Sequence, residues 1–277
     1  MNSFVFVSDF FAEQIVGGGE LNDYEVCNIL LKRGQDLQKI NSHLFTKNHL
    51  DKKKCYIISN FINLKEEVKN HIIDYKYIIY EHDHKYIKTR NPALYKNFIA
   101  PKEQIVNEYF YKNAIGVLCQ SRFHTNILKK NLNIENIINL SGNVWSIESL
   151  EFMRNISNIE KQNRTSILKS NTRHKNTSGA INYCISKNEQ YDLISDQDYH
   201  SFLSKMGKNR KFVFLPKTPE TLSRICVEAR MMNMSVAVNS LIGASKEKWY
   251  ALKGEDLINH MIQKRDDIVD TIIGLFQ

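Results

Sequence analysis

Proline is scarce in this chain of 277 residues, with four in all, and glycine is held to 11. That leaves no material for a Pro- or Gly-rich linker, a collagen repeat or a low-complexity tract. No apolar run comes near the roughly 18 to 20 residues that a membrane-spanning helix needs. Residues 1–11 carry Asp9 where a signal peptide would stay apolar, so the expectation is a cytoplasmic protein. The five cysteines, Cys27, Cys55, Cys119, Cys184 and Cys226, stand singly and are odd in number. They make no disulfide scaffold, no zinc-ligand pair and no C-x-x-C redox pair, and are expected to be reduced packing residues. No short-period repeat occurs, which argues against solenoids and propellers.

What is present is ordinary globular material, 42% hydrophobic and 25% charged, long enough for about two domains. Thirty-eight basic against 30 acidic side chains give a net charge of +8. Such a balance favours anionic partners: nucleotides, nucleic acid or an acidic membrane surface. A solvated lysine surface would give the same number.

Short apolar runs at 4–8 (FVFVS), 56–59 (YIIS), 77–80 (YIIY), 116–119 (GVLC) and 137–140 (IINL) alternate with polar or helix-like stretches. The pattern predicts a parallel sheet buried on both faces. The first run leads through Gly17, Gly18 and Gly19 into a helical pattern over 20–32, a strand, glycine loop and helix that open a nucleotide-binding α/β unit. Residues 148–165 lose strand signals, and a domain boundary is expected there. A second set follows: strands at 165–168, 192–195, 211–215 and 235–239, helices at 179–185, 199–206 and 223–232, and an amphipathic tail at 255–276.

The strongest chemical constellation is 214–240 (FLPKTPETLSRICVEARMMNMSVAVNS), with Glu220 just after a strand and Glu228 in the next helix. A carboxylate at the carboxyl end of a parallel strand lies in the ligand crevice of an open α/β sheet. The backbone N–H groups around Ser223 and Arg224 open the helix and suit a diphosphate. Two carboxylates flanking an anion pocket suit polyols, each accepting hydroxyl hydrogen bonds; on spacing alone, a loop and a helix surface carrying one carboxylate each remain open. In the loop SNTRHKNTSG, Arg173 and Lys175 are the cations, and YEHDHK places His82, Asp83 and His84 after a strand of the first set. Residues two apart on an extended loop do not close a metal site without a further ligand, so no metal is expected.

The segment 214–240 resembles the signature of retaining GT-B glycosyltransferases, family 4 above all. Pro216 ends a strand, Glu220 follows four positions on, and Glu228-Ala229 begins eight positions later; a buried strand at 235–239 and Gly243 complete the pattern. The family's Phe-Gly after the first Glu stands here as Leu222-Ser223. Gly17, Gly18, Gly19 and Glu20 are similar to the family's Gly-Gly-x-Glu after the first strand.

The resemblance implies a GT-B-like α/β fold, two Rossmann-type parallel-sheet domains facing a cleft, the second shortened. Residues 1–150 would form the acceptor domain, 160–254 the donor domain, and 255–277 a helix packing back on the first. Glu228 would hold the donor ribose and Glu220 the transferred sugar. Lys175, Arg173 and the helix start at Ser223 and Arg224 would neutralise the diphosphate, the glycines at 17–19 would admit the donor phosphates or the acceptor, and His82 or His84 would lie beside the sugar. The implied reaction is retaining and metal-independent, with a UDP- or GDP-sugar as co-substrate and no cofactor. The acceptor is expected to be a surface glycan or lipid-linked saccharide, with peripheral contact at the inner membrane face. DNA with a modified base is the alternative, and a non-catalytic nucleotide-sugar or nucleic-acid binder is the alternative of another class.

Overall fold

A computed structural model describes residues 3–277. The chain divides into two compact units: one ends at Val144 and takes in Lys264–Gln277, the other is Trp145–Gln263.

The first unit alternates strands and helices: β1 (Ser3–Ser8), α1 (Gly18–Lys32), β2 (Asp36–Asn41), β3 (Lys54–Ile58), α2 (Glu66–Ile72), β4 (Tyr77–Glu81), α3 (Glu108–Asn113), β5 (Gly116–Cys119), α4 (Arg122–Asn131) and β6 (Ile137–Asn139). The six strands form one sheet in the order β2-β1-β3-β4-β5-β6, every pair parallel. Successive residues of β1 serve opposite faces: Val5 and Val7 pack with Tyr56, Ile58 and Tyr77, while Phe4 and Phe6 pack with Ile57, Ile78 and Tyr80. A strand buried on both sides must be apolar throughout, and so β1, β3, β4 and β5 read as unbroken runs. β2 does not. Its sequence DLQKIN lies at the sheet edge with Ile40 as its buried residue, and a search for apolar runs passes over it.

The second unit contains α5 (Ile147–Ser157), β7 (Gln162–Leu168), α6 (Thr177–Ser186), β8 (Tyr191–Ile194), α7 (Tyr199–Gly207), β9 (Asn209–Phe214), α8 (Arg224–Met231), β10 (Ser235–Val238) and the start of α9 (Gly254–Gly274). Its sheet has four parallel strands in the order β10-β9-β7-β8. The division falls before α5, ahead of the polar stretch expected to hold it. Leu150, Met153 and Ile156 recur at helical spacing and are buried with Phe212, Phe214 and Val227. Ser146 caps this helix by accepting from the Ser149 N–H.

α9 serves both cores in turn. Leu257, Ile258 and Met261 belong to the core of the second unit, and Ile268, Val269 and Ile272 to that of the first. In the first unit Arg33 of α1 donates to Asp266 and Asp270 of α9, and Arg265 pairs with Glu25 at 3.2 Å. The five cysteines are free and buried. Among the described residues no helix is long and apolar enough to cross a membrane.

Candidate functional site

Parallel strands in each unit deliver their carboxyl ends to loops, and the chemistry-bearing residues gather there. In the second unit the loop after β7 and the loop after β9 lie side by side. The Lys217 N–H donates to the His174 carbonyl at 2.8 Å, and Asn176 Nδ2 donates to the Leu215 carbonyl at 2.7 Å. This brings Lys175 Nζ to 2.9 Å from Glu220 Oε1, with the lysine about one-third exposed and the carboxylate 16% exposed. Arg173 stands exposed on the same turn and is not brought to Glu220. The loop holding Glu220 is rigid: it pairs in parallel with Ile242, the Glu220 N–H donates to Leu241 O at 2.8 Å, and the Gly243 N–H donates to Glu220 O at 2.9 Å.

The loop then turns sharply into α8. Ser223 caps that helix in the left-handed region, φ +75°, where the resembled family has glycine. The Cys226 N–H bonds back to the Ser223 carbonyl at 3.1 Å, which closes the first turn of α8 three residues after Glu220. The Arg224 side chain contributes packing, its guanidinium lying 4.3 Å over the Trp145 ring.

Glu228 is not on the helix surface. It is 3% exposed, and its Oε1 accepts from Trp145 Nε1 at 2.9 Å and from the Tyr199 hydroxyl at 2.7 Å, with Arg224 Nε at 3.5 Å. Burial and the neighbouring Glu228 carboxylate push the Tyr199 phenol well above its ordinary value, keeping it a donor. Trp145 and Tyr199 lie 83 and 29 residues from Glu228 in sequence, and no local signal marks either as its partner.

The first unit holds a separate cluster. Gly17 caps α1 and Gly19 faces a histidine: a Cβ on Gly19 would lie 3.5 Å from His82 Cγ, and one on Gly17 would lie 2.3 Å from Glu20 Oε2. Gln120 Nε2 donates to His82 Nδ1 at 2.7 Å, so Nε2 carries the proton and donates to Asp23 Oδ1 at 2.7 Å. The ring also stacks on Tyr80, 4.8 Å between centroids. Asp23 is fully buried and accepts at Oδ2 from Ser59 at 2.5 Å. With both ring nitrogens hydrogen-bonded, His82 is held in a fixed orientation beside Gly19 and α1. Glu20 sits beside it in the first turn of α1, accepting from Asn60 Nδ2 at 3.4 Å, and burial raises its carboxyl above the ordinary range. Asp23, Asn60 and Gln120 carry no motif, and sequence reading misses them.

His84 and Lys85 of YEHDHK face inward. His84 is 2% exposed and pairs its Nδ1 with the Tyr86 hydroxyl at 2.8 Å, edge-on to His124. It is therefore removed from the sugar-facing role that its spacing shared with His82. Lys85, fully buried, lies 2.5 Å from Glu81 and 2.9 Å from Asp83, and Arg90 reaches Asp83 at 3.1 Å. Burial alone would raise the Asp83 carboxyl, but Lys85 outweighs it and holds that carboxyl low. Among the described residues no group of three or more His, Cys, Asp or Glu is arranged to hold a metal ion.

No family model and no curated protein sequence matches the chain. Solved structures do. One is an alpha-glucosyltransferase in complex with UDP and a 13-mer DNA containing an HMU base, 11% identical over 97% of this chain and 94% of that one, TM-score 0.51. HepE of Anabaena in complex with UDP and glucose is 12% identical over 98% and 91%, TM-score 0.54. The same protein with UDP-glucose is 12% identical over 96% and 92%, TM-score 0.51. The chain thus has the GT-B fold, built here from parallel α/β units of six and four strands.

Proposed function

We propose that the protein is a glycosyltransferase that takes a sugar from a UDP-sugar and passes it, with retention, to a hydroxyl of a surface glycan or lipid-linked saccharide. The observation that carries the reading is the Lys175–Glu220 pair, 2.9 Å apart at the carboxyl ends of β7 and β9 and next to the opening turn of α8. A cation and a carboxylate meet there just before a helix start, which supports a site for a diphosphate and a polyol. The UDP held by an alpha-glucosyltransferase and by HepE, both of like fold, supports the choice of base.

Lys175 and the amides at Ser223 and Arg224 would stabilise the departing diphosphate, and Arg173 would join them from the exposed turn. Glu220 would accept hydroxyls of the transferred sugar, and the buried Glu228 would fix the floor under the ribose. The anomeric carbon–oxygen bond to the diphosphate breaks, the acceptor oxygen bonds to the same face, and its proton passes to a diphosphate oxygen. No divalent cation takes part in this route, so turnover persists in a chelator. Gly17, Gly18, Gly19 and His82 would shape the acceptor side of the first unit.

A DNA acceptor is a second reading, favoured by the net charge of +8 and by the DNA in the complex of an alpha-glucosyltransferase with this fold. Transfer to modified duplex DNA would then fall steeply with salt. The donor assignment is tested by thermal unfolding with UDP, GDP, ADP and CMP, with and without magnesium. A ligand at about 100 times its dissociation constant adds about 2.7 kcal/mol. A magnesium-independent shift for UDP supports the reading; no shift for any of them overturns it.

A further inference from the structure

The four strands of the second unit also share an amino-terminal edge, and a cavity of about 700 Å³ opens there. Its walls come from the start of β7 (residues 162–165), the turn into β8 (residues 188–190), the start of β9 (Arg210 and Lys211) and Ser235, the first residue of β10. Small-ligand pockets span about 300–1,000 Å³, and the cavity lies within that range. Lys175 and Glu220 follow the opposite ends of β7 and β9. Six residues of β9 at about 3.3 Å each put roughly 20 Å between the two edges. No step of the proposed transfer uses this cavity.

The wall is ordered before anything binds to it. Gln162 pairs with Asn209 and Thr165 with Lys211, so β7 carries one residue more than β9 between the two pairings, a bulge that re-aims the side chains at 163 and 164. The Arg164 guanidinium is held by Asp192, to which Nε and Nη2 donate at 2.9 and 2.6 Å, and Nη1 donates to Gln190 Oε1 at 2.8 Å. Lys211 donates to Glu189 Oε1 at 2.6 Å, and the Thr165 hydroxyl donates to Glu189 Oε2 at 2.9 Å. Each of these charges has its counter-charge, and together they tie β7, β9 and the turn into β8 into one preorganised surface.

The groups left over define the ligand. Arg210 is exposed and its side chain has neither ion pair nor hydrogen bond among the described residues, so one cation of the cavity lacks a counter-charge. The side-chain amides of Gln162, Asn163 and Asn188 and the Ser235 hydroxyl are likewise uncommitted among the described residues. Gln190, its oxygen held by Arg164, keeps Nε2 as a donor. Amides and a hydroxyl both donate and accept, which matches the neighbouring hydroxyls of a sugar. The single guanidinium matches one carboxylate or phosphate. Among the described residues no aromatic or aliphatic side chain lines the cavity, so a nucleobase has nothing to stack on and an acyl chain nothing to bury against. One free cation does not follow a nucleic-acid backbone. We propose that this cavity is a carbohydrate site, separate from the Lys175–Glu220 edge, that takes a saccharide bearing an anionic group, either a uronic carboxylate or a phosphate ester. Under the transferase reading it would hold a length of acceptor or product glycan away from its reacting end; the binding itself does not rest on that reading.

The test is binding to immobilised oligosaccharides of three kinds, neutral glucans, glucuronic-acid-containing chains and phosphate-bearing mannosides, with duplex DNA as a fourth probe. The wild-type protein is compared with Arg210→Ala, Asn163→Ala and Lys175→Ala. Arg210 and Asn163 are exposed, and their variants should keep the melting temperature and any UDP shift. The expected result is binding to an acidic oligosaccharide at least about tenfold tighter than to neutral glucans. Arg210→Ala should weaken it at least about tenfold, Asn163→Ala at least about twofold, and Lys175→Ala not at all. Preference for the carboxylate or the phosphate chains names the anion. Five results overturn the inference: no binding to either acidic kind, equal binding of neutral glucans, binding unchanged in Arg210→Ala or Asn163→Ala, duplex DNA captured through Arg210, or loss of binding in Lys175→Ala, which would move it to the donor edge. A protein that binds acidic saccharides but shows no UDP shift loses the donor assignment alone. One that shifts with UDP but ignores every oligosaccharide loses the cavity site alone.

Discussion

Truncating Glu228 tests the interior of the second unit and the donor floor together, and the two effects can be separated. Glu228→Ala removes the acceptor of two buried donors, Trp145 Nε1 and the Tyr199 hydroxyl. Each donor left without a partner costs about 1–3 kcal/mol, so the loss should be about 2–6 kcal/mol. Glu228→Gln keeps a carbonyl oxygen for both donors and gives up the charge, which should cost about 1 kcal/mol. Both tryptophans, Trp145 and Trp249, lie in the second unit, so their fluorescence in a urea titration follows that unit. With a slope of about 2 kcal/mol per molar urea, the alanine variant should drop the midpoint by about 1–3 M and the glutamine variant by about 0.5 M. An alanine variant within about 0.5 kcal/mol of wild type, or a glutamine variant as damaged as the alanine one, would refute the buried network. The glutamine variant is accordingly the one in which to measure donor affinity.

Lys175→Ala should lower turnover of a UDP-sugar about 10²–10³-fold, the loss expected for a charge-stabilising donor. Stability should change by no more than about 1 kcal/mol, since the Lys175–Glu220 pair is partly solvated; the urea titration and a UDP-release assay read the two effects. At Ser223, whose φ is +75°, glycine relieves a strain of about 1–2 kcal/mol and adds back about 0.5–1 kcal/mol of chain entropy. Ser223→Gly should therefore leave the midpoint unchanged or raise it, whereas Ser223→Val should lower it. Glu20 has its carboxyl raised by burial, so the folded state holds that proton to higher pH than the unfolded chain. Its contribution to stability is present at low pH and lost as the pH rises through the folded value. Glu20→Gln should then be more stable than wild type at pH 8, by no more than about 1 kcal/mol, and equal to it below pH about 4; melts across that range check the sign.

The fold was legible where physics writes it locally. Strands buried on both faces must be apolar, and β1, β3, β4 and β5 stand out for that reason. β2 is polar because the sheet edge lets it be, and α5 hides its apolar residues at helical spacing within a charged segment. The glycine turn and the two glutamates were readable because the resembled signature spells them in order. Their surroundings were not. Whether Glu228 points outward or down onto Trp145 and Tyr199 depends on contacts from α7 and from the start of the second unit. The choice between His82 and His84 likewise depends on Asp23 and Gln120, which come from other elements of the first unit.

Calorimetric titration of UDP and of UDP-glucose into the wild-type protein and into Glu220→Gln tests the donor site most directly. The account predicts that UDP binds both proteins alike, since the diphosphate rests on Lys175 and the α8 turn, and that UDP-glucose binds the variant at least about tenfold more weakly, with a lost charged hydrogen bond worth about 1.5–3 kcal/mol. Failure of the wild type to bind either ligand, or equal binding of UDP-glucose by both proteins, would contradict it.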